Sequence, residues 1–361
     1  MTNIRYGIIG SGMMGQEHIR NILLIGGTEV SAVADPNTQM RESAAALAGP
    51  DCAAFEHHST LLEAGLCDAI VVAAPNHLHE PILRDVLPAE LPLLVEKPLG
   101  IDGQECGRMI DMAKQRRAPV WVGMEYRYMP PVARLLAEVR SGTAGAPRMM
   151  AIREHRFPFL SKVDHWNRFQ DQTGGTMIEK CCHFFDLMRL VFGGEARRVY
   201  ASAGMDVNFR DELFNGRKSD ILDNAFVIVD FEGSRRAMLD LCMFAEGAYW
   251  QESISVTGDK ARIDAHVPGP ARFSANGKER AAQLVLSPRD SKVPVIEEIE
   301  VDEAILAAGD HFGSTYFQHE RFVRMIRDGG QPEVSMDDGA KAVEIGAAAE
   351  ESARTGQPIA L

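Results

Sequence analysis

Short apolar runs alternate with amphipathic stretches along residues 1–125. The apolar runs predict six strands, at Arg5–Ile9, Glu29–Ala34, Cys52–Phe55, Ala69–Ala73, Leu93–Glu96 and Val120–Gly123. The amphipathic stretches predict helices that begin near Met13, Thr38, Thr60, His79 and Gln104. Strands that alternate with helices in this way are typical of βαβ units. Residues 1–125 are therefore expected to form an α/β domain with a doubly wound parallel sheet.

The pattern changes beyond Tyr126, where a helix is predicted over Pro131–Val139. The runs that follow alternate apolar and polar residues, at Arg148–His155, Arg198–Ala203, Ala225–Phe231, Arg236–Phe244 and Glu252–Ile263. Such alternation is typical of an antiparallel sheet with one buried face. Helices are predicted over Tyr316–Asp328 and Asp337–Arg354, whereas Asp264–Pro294 is interpreted as a loop that could hold short strands. Residues 126–361 are thus expected to form an α+β domain with a large, mostly antiparallel sheet.

A G-x-G-x-x-G turn joins the first strand to the first helix, and its variable positions include Met13 and Met14. Gly10 permits a tight turn, and Gly12 lets the backbone approach a pyrophosphate because no Cβ stands in the way. Gly15 lets the helix pack closely on the strand, and the N–H groups at the helix N-terminus suit a diphosphate. In this strand–turn–helix context the motif predicts a dinucleotide-binding (Rossmann) domain.

An acidic residue, Asp35, ends the second predicted strand. Its carboxylate is placed to accept hydrogen bonds from the ribose hydroxyls of an adenosine, and its charge would repel a 2′-phosphate. The first basic residue after it is Arg41, six positions further on. The sequence therefore predicts NAD as the cofactor in preference to NADP.

Charge and cysteine content exclude several classes of protein. The chain of 361 residues has 51 acidic and 38 basic residues, a formal charge of −13, and is expected to bind neither nucleic acid nor an anionic membrane. No apolar run has the length of a transmembrane helix, and no signal peptide is expected because the chain opens directly into a strand. The six cysteines show no paired framework, which predicts a cytoplasmic location. No metal site is expected from Cys181, Cys182 and His183, because neighbours on a helix point to different sides.

Polar residues follow two further strands of the first sheet, at the edge where such sheets bind ligands. The fourth strand is followed by Ala74, Pro75, Asn76 and His79, and the fifth ends in Glu96, Lys97 and Pro98. Burial would lower the pKa of the Lys97 ammonium, so that it could exchange protons near neutrality. The alternative is that Lys97 is a solvated residue at the end of a strand.

A second group of ionisable residues lies in a predicted helix within Thr173–Leu190. Glu179, His183 and Asp186 are spaced four and then three residues apart, which places them on one face of this largely apolar helix. Such a stripe is either buried and internally satisfied, or it lines a cleft in which His183 acts as an acid or base. Three ionisable groups in register favour the second interpretation.

The order and spacing of these motifs resemble those of the glucose-fructose oxidoreductase, inositol dehydrogenase and rhizopine-catabolism (Gfo/Idh/MocA) family. The matching residues are Gly10–Gly15 with His18, Ala74–Asn76 with His79, Glu96–Pro98, and Gly174–Gly175 with His183 and Asp186. The resemblance spans nearly the whole chain and implies an N-terminal Rossmann domain and a C-terminal domain whose open sheet packs in dimers or tetramers. It also implies hydride transfer between a nicotinamide and a hydroxyl-bearing carbon of a sugar or cyclitol.

The resemblance further implies roles for single residues. Lys97 matches the catalytic lysine of the family's E-K-P motif, and His183 matches the histidine that exchanges the hydroxyl proton of the substrate. Glu179 falls where many members have aspartate, at a position thought to orient the histidine or to bind substrate. We expect NAD to be bound by Gly10, Gly12, Met13, Met14, Gly15, Asp35, Ala74, Pro75, Asn76, His79, Glu96 and Lys97.

In the expected mechanism His183 removes the hydroxyl proton as hydride leaves the carbon, and Lys97 stabilises the developing oxyanion. Besides Lys97, Glu179 and His183, the residues expected to bind the substrate are Tyr126, Arg127, His155, Arg156 and Trp166. Aromatic faces stack on ring sugars, and forked donors read their hydroxyls. The basic residues Arg156, Lys162 and Arg168 leave a carboxylated or phosphorylated sugar open, and His311 is a further candidate.

Two other functions are compatible with the same sequence. One is an NAD-assisted glycosidase, which oxidises a glycoside transiently, eliminates its substituent and restores the cofactor without net redox change. The other is a non-catalytic sensor that regulates through bound dinucleotide. The presence of both Lys97 and His183, and the acidic charge, count against the sensor.

Overall fold

Six parallel strands form the sheet of the N-terminal part in a computed structural model that describes residues 3–274, 277–278 and 280–361. In chain order these strands are β1 Ile4–Ile9, β2 Thr28–Ala34, β3 Ala53–Phe55, β4 Ala69–Val72, β5 Leu93–Val95 and β6 Val120–Val122. Their spatial order is β3-β2-β1-β4-β5-β6, which confirms the predicted doubly wound sheet. All carboxyl ends lie at one edge, so the polar segments that follow β1, β2, β4 and β5 meet there.

Five helices connect these strands, namely α1 Met13–Leu23, α2 Thr38–Ala48, α3 His58–Glu63, α4 His79–Val86 and α5 Gly103–Ala113. Two of them begin at a side-chain cap, because Asn37 accepts the Met40 N–H and Asp102 accepts the Glu105 N–H. By contrast, α1 follows Gly12 without a side-chain cap. The N–H groups of its first turn are therefore available to a ligand.

A nine-stranded sheet forms the body of the C-terminal part, in the order β16-β15-β14-β13-β7-β12-β11-β8-β17. Its strands are β7 Pro147–His155, β8 Ala196–Gly204, β11 Asn224–Phe231, β12 Arg235–Cys242, β13 Glu252–Gly258, β14 Ala261–Val267, β15 Ala282–Pro288, β16 Val295–Ile299 and β17 Ile359–Ala360. The pair β7 and β12 is parallel and the other pairs are antiparallel. A separate small hairpin consists of β9 Leu213–Phe214 and β10 Arg217–Lys218. The large, mostly antiparallel sheet predicted from the sequence is confirmed.

Several boundaries in this sheet differ from the prediction. The alternating run Glu252–Ile263, which contains the turn signal Gly258-Asp259-Lys260, is a hairpin of β13 and β14. The segment Asp264–Pro294, interpreted as a loop, contains the end of β14 and all of β15, while Ala275, Asn276 and Glu279 within it lie outside the described residues. The strand β16 was not predicted. It is an edge strand that is exposed on both faces, and its residues show no apolar alternation.

The remaining helices are α6 Pro130–Arg140, α7 Gln170–Thr173, α8 Thr176–Glu179, α9 Cys182–Phe192, α10 Glu303–Ala308, α11 Ser314–Asp328 and α12 Met336–Thr355. The predicted helix ends at glycine are confirmed, since Gly329 and Gly356 have φ of 70° and 68° after α11 and α12. Across the described ranges, no helix is both long and apolar enough to cross a membrane.

The last helix, α12, ties the two parts of the chain together. A capping box between Ser335 and Asp338 fixes its start. It then packs against α9 and β8 on one side and against α5 and β6 on the other. The predicted domain limits, 1–125 and 126–361, stay a prediction, although β6 ends at Val122 and α6 begins at Pro130.

Candidate active site

In the turn after β1, the backbone at Gly10 lies close to Ala74, and the backbone at Gly15 lies close to Gly10. Gly10 has a φ of +85°, and a Cβ there would lie 2.6 Å from the Ala74 nitrogen. A Cβ on Gly15 would lie 2.1 Å from the Gly10 carbonyl oxygen, so α1 can pack on the turn only with glycine at this position. Gly12, in contrast, has open space on its Cβ side. Open space beside uncapped N–H groups fits a bound diphosphate.

A cavity of about 1120 Å³ runs along this edge of the sheet, from Asp35 past the turn to Lys97. Side chains of the C-terminal part, among them Lys162 and Trp166, close it from the other side. Ten of the twelve residues expected to bind NAD line the cavity, the two others being Gly15 and His79. The cavity is larger than a typical drug-sized pocket, as a dinucleotide requires.

Asp35 is held at one end of this cavity by backbone donors. Its carboxylate accepts hydrogen bonds from the N–H groups of Ser11, at 2.7 Å, and Asn37, at 2.8 Å. Arg41 lies nearer to it than its sequence position suggests, because its guanidinium donates to the Asp35 backbone carbonyl at 2.6 Å. The acid is thus oriented before a ribose arrives, and Arg41 is already engaged with the backbone.

His79 has a structural place, which corrects the expectation that it contacts the cofactor. It is fully buried, and its ring nitrogens face the carbonyl oxygens of Pro98 and Ala74, at 3.0 and 3.1 Å. The ring therefore joins the segments that follow β4 and β5. Asn76, from the first of these segments, does line the cavity.

Glu96 and His18 form a buried pair behind the cavity. The Glu96 carboxylate lies 3.0 Å from His18 Nε2, and His18 Nδ1 lies 2.8 Å from a nitrogen of His319. Burial alone would lower the pKa of His18, but the hydrogen bond to Glu96 and the charges of Glu96, Glu125 and Glu17 together outweigh burial and raise it. Glu96 also accepts the backbone N–H of Lys97, which precedes a cis peptide bond to Pro98.

Lys97 lies beside a carboxylate with 15% of its side chain exposed. Its ammonium donates to the backbone carbonyl of Glu179 at 3.1 Å and lies 3.9 Å from the Glu179 carboxylate. Burial lowers the pKa of Lys97, but the nearby charges, of which Glu179 is the largest, outweigh it and raise the pKa to about 12. The expectation of a lysine that exchanges protons near neutrality is therefore wrong, and Lys97 is a fixed positive charge.

Glu179 faces two lysines and an amide. Lys162 lies 3.3 Å from its carboxylate, and Asn76 donates a short hydrogen bond to it. Burial would raise the pKa of Glu179, yet the charges of Lys97 and Lys162 lower it overall. The Lys162 ammonium also lies 4.3 Å from the centre of the Trp166 ring, which lines the cavity. Glu179 thus orients cations at the cavity wall.

The helix predicted within Thr173–Leu190 is interrupted between α8 and α9. Its wider turn has a hydrogen bond from the Cys181 N–H to the Thr176 carbonyl, five residues back. This turn rotates the residues that follow it relative to α8. The structure brings Glu179 to Lys162 and stacks His183 on Tyr126, and the expectation that Glu179, His183 and Asp186 line one cleft stays a prediction.

His183 is buried and stacks on Tyr126. The two rings are 4.1 Å apart with an angle of 9° between their planes. Burial lowers the pKa of His183 well below its usual value, and among the charges that lower it further Lys97 acts most strongly. Nδ1 of this imidazole has no partner among the described residues. A neutral imidazole close to a permanent ammonium can accept a proton from a hydroxyl held between them.

Two residues expected to bind substrate have structural partners instead. The Arg127 guanidinium pairs with both oxygens of Asp186, with Nε 2.6 Å from one of them, and donates to the Glu333 carbonyl. Tyr126 is buried beneath His183 and contacts Lys180 through its hydroxyl. These contacts correct the expected roles of Arg127 and Tyr126. The ion pair with Arg127 also gives Asp186 a structural role.

The segment after β7 is divided between the sheet and the site. His155 lies 3.0 Å from an oxygen of Asp240 and so is held on the sheet. Arg156 packs over the Phe157 ring at 4.3 Å, and its charge lowers the pKa of His183, which places it near that imidazole. Trp166 lines the cavity. Direct contact of these three residues with substrate stays a prediction.

Sequence reasoning missed a buried cluster beside Tyr126. His311 Nδ1 lies 3.3 Å from Glu17 and 3.1 Å from Glu125, and Thr315 donates to both carboxylates. Burial would lower the pKa of His311, but the two carboxylates raise it to about 9. Ligand atoms of the two glutamates and the histidine lie within 4.8 Å of one another, as in a metal site. A protonated His311 already supplies positive charge there, and the expectation of no metal stays a prediction.

Two named relatives and one solved structure are similar to this chain. The myo-inositol 2-dehydrogenase of Thermotoga maritima is 24% identical over 99% of this chain and 98% of its own. The rhizopine catabolism protein MocA of Rhizobium meliloti is 30% identical over 54% of this chain and 59% of its own. A solved structure of levoglucosan dehydrogenase with NADH has a TM-score of 0.82 at 19% identity, covering 99% of both chains.

Two family models account for nearly the whole chain. The model of the NAD-binding Rossmann fold of the oxidoreductase family matches residues 4–124. The model of the C-terminal alpha/beta domain of the same family matches residues 137–361. The chain therefore belongs to the Gfo/Idh/MocA family of NAD-dependent oxidoreductases.

Proposed function

We propose that this oxidoreductase transfers a hydride between NAD and a secondary hydroxyl of a sugar, sugar derivative or cyclitol. The observation that carries the proposal is the combination of Lys97, a charged lysine that lines the dinucleotide cavity, with His183, a neutral buried imidazole whose pKa the charge of Lys97 lowers. A hydroxyl held between these groups can lose its proton while its carbon is oxidised. The two relatives named as dehydrogenases act on polyhydroxylated rings by their names, inositol and levoglucosan.

The protein residues would share the work as follows. Bound NAD would supply the hydride acceptor. The His183 imidazole removes the hydroxyl proton, and the Lys97 ammonium stabilises the negative charge that develops on the oxygen. Glu179 keeps Lys97 charged and oriented through the contact with its carboxylate. Because Nδ1 of His183 has no partner among the residues that the structure describes, stacking on Tyr126 would fix the plane of the ring.

Substrate binding would use the wall contributed by the C-terminal part. Trp166, with the Lys162 ammonium over its ring, offers an aromatic face for the C–H face of a ring and a donor for its hydroxyls. Arg156 offers further donors near His183. These groups suit a polyhydroxylated small molecule.

The proposal is tested by a screen of cyclitols, aldoses, uronates and glycosides with NAD and with NADP. We expect stoichiometric NADH formation, followed by absorbance, with at least one cyclitol or sugar, and a lower rate with NADP. Release of an aglycone without net NADH would support the glycosidase alternative instead. Tight NADH binding with no turnover on any member of the panel would contradict the proposal.

We also propose that the enzyme is a cytoplasmic homodimer or homotetramer. The support for assembly is an exposed apolar face on the C-terminal sheet. Tyr200, Ile228 and Met238 are direct neighbours on β8, β11 and β12, and all three are exposed. Contiguous exposed apolar patches of this kind mark protein interfaces. The support for the location is that all six cysteines are free.

A further inference from the structure

Lys180 occupies the turn between α8 and α9, three residues before His183. Its ammonium lies 2.8 Å from the Glu154 carboxylate and donates a short hydrogen bond to the Tyr126 hydroxyl. It also lies 4.6 Å from the centre of the Tyr126 ring. The three side chains are buried, so this lysine is not a solvated turn residue.

The Tyr126 ring links Lys180 to His183. The ammonium holds the hydroxyl end of the ring, and the face of the ring stacks on the imidazole of His183. A stacked pair this close to parallel is lost if either ring turns. Movement of Lys180 would therefore release the ring against which His183 is held.

Lys180 also contributes to the charge around His183. The charged groups that face this imidazole are Lys97 after β5, Arg156 after β7, Lys180 after α8 and His311 before α11, with neutral Tyr126 before α6. All four charges lower the pKa of His183, after burial, and Lys180 is second to Lys97 among them. Glu154 is not among the main groups that shift the pKa of His183. Of the Lys180–Glu154 pair, it is therefore the lysine charge that acts on the imidazole.

We propose, on the basis of the function proposed above, that Lys180 is a positioning residue. Through Tyr126 it fixes the plane of the His183 imidazole, and its buried charge keeps a second proton off that ring. Lys180 thus helps to keep His183 a base at the pH at which the enzyme works. It does so through Tyr126 and through its charge, without any need to contact the substrate.

The test is an NMR titration of enzyme labelled with ¹⁵N-histidine and saturated with NADH, in which His183→Asn identifies the signal. We expect Lys180→Met to raise the pKa of His183 by about one unit or more, because a buried charge is removed. Lys180→Arg keeps the charge and should leave the titration close to that of the unchanged enzyme. The double variant Lys180→Met with Glu154→Gln also removes the carboxylate that pairs with Lys180, leaving Glu252 as a buried carboxylate nearby, and should raise the pKa by a smaller amount.

This titration needs no substrate. It therefore tests the role of Lys180 even if no polyol is oxidised and the proposed function fails. Where a substrate is found, the acid limb of the kcat/KM profile should move upward with Lys180→Met and stay in place with Lys180→Arg. The inference is overturned if Lys180→Met and Lys180→Arg shift the titration equally. It is also overturned if the double variant, which removes the Glu154 carboxylate together with the ammonium, leaves the titration unchanged.

Discussion

At the scale of single residues, burial lowers the pKa of both Lys97 and His183, but the neighbouring charges shift the two pKa values in opposite directions. Carboxylates around Lys97 raise its pKa to about 12, whereas cations around His183 lower its pKa well below 6.5. A base works when it is unprotonated, so His183 is active above its lowered pKa. We expect kcat/KM for oxidation to stay level from neutral to moderately alkaline pH and to fall only below 6.5. A rate profile measured at saturating NAD checks this, and an acid limb centred above 7 would contradict it.

The same two residues predict the effect of truncation. Lys97→Ala removes the charge that stabilises the oxyanion, and His183→Ala removes the base, so each should lower turnover by ~10²-fold or more. NADH binding should persist, because the turn at Gly10–Gly15 and Asp35 is untouched. Turnover and NADH titration by fluorescence check this. Lys341→Ala, at an exposed lysine of α12 paired with Glu344, is the matched control and should be neutral. Near-normal turnover in both site variants would remove the assigned roles.

At the scale of elements, the start of α8 depends on a glycine. Gly175 has φ of +94° and ψ of 167°, a region that is essentially limited to glycine. A Cβ there would also lie 2.3 Å from the Glu350 carboxylate, which accepts the Met177 N–H. We expect Gly175→Ala to lower the free energy of unfolding by about 1–3 kcal/mol. Because α8 carries Glu179, the rate at saturating NAD should fall as well.

Urea unfolding followed by circular dichroism, together with turnover, checks the prediction for Gly175. Gly107→Ala is the matched control, because Gly107 lies inside α5 with open space around its Cβ direction. It should be neutral or slightly stabilising, since alanine favours helix. Equal stability of the two variants would mean that α8 tolerates another backbone geometry at its start.

The elements also differ in how far the sequence determines them. β4, with four buried residues, is fixed by a continuous apolar run, and this holds for most strands of the N-terminal sheet. The turn between α8 and α9 was not predictable, because the apolar period continues through Lys180 and Cys181. Glu179 ends α8 and lies beside Lys97, whereas His183 lies in α9 and stacks on Tyr126. The pKa of Lys97 was predicted wrongly for a related reason. It depends on the Glu179 carboxylate, whose distance from Lys97 cannot be read from the sequence.

At the scale of the whole molecule, the site is assembled from both parts of the chain. The dinucleotide turn and Lys97 come from the parallel sheet, while His183 and Trp166 come from segments that lie between strands of the large sheet. The identities and order of these residues were predictable from motifs. Their partners were not, because pairs such as Arg127 with Asp186, or Tyr126 with Lys180, join residues more than fifty positions apart.

The outer face of the large sheet carries the prediction for assembly. Tyr200, Ile228, Met238 and Ala151 form a row across β8, β11, β12 and β7, and Ile228 and Met238 are 49% and 40% exposed. A second copy of the chain can cover such a row with its own, because a twofold contact is self-complementary. Ile228→Asp with Met238→Asp would bury unpaired charges in that contact.

We expect the unchanged enzyme to have the mass of a dimer or tetramer in size exclusion with light scattering, and the double variant to be smaller by half or more. Leu24→Asp, at the exposed end of α1, is the control and should leave the mass unchanged. If the double variant keeps the mass of the unchanged enzyme, this face is not the interface. A monomeric unchanged enzyme would refute the assembly itself, and the exposed row would then need another occupant.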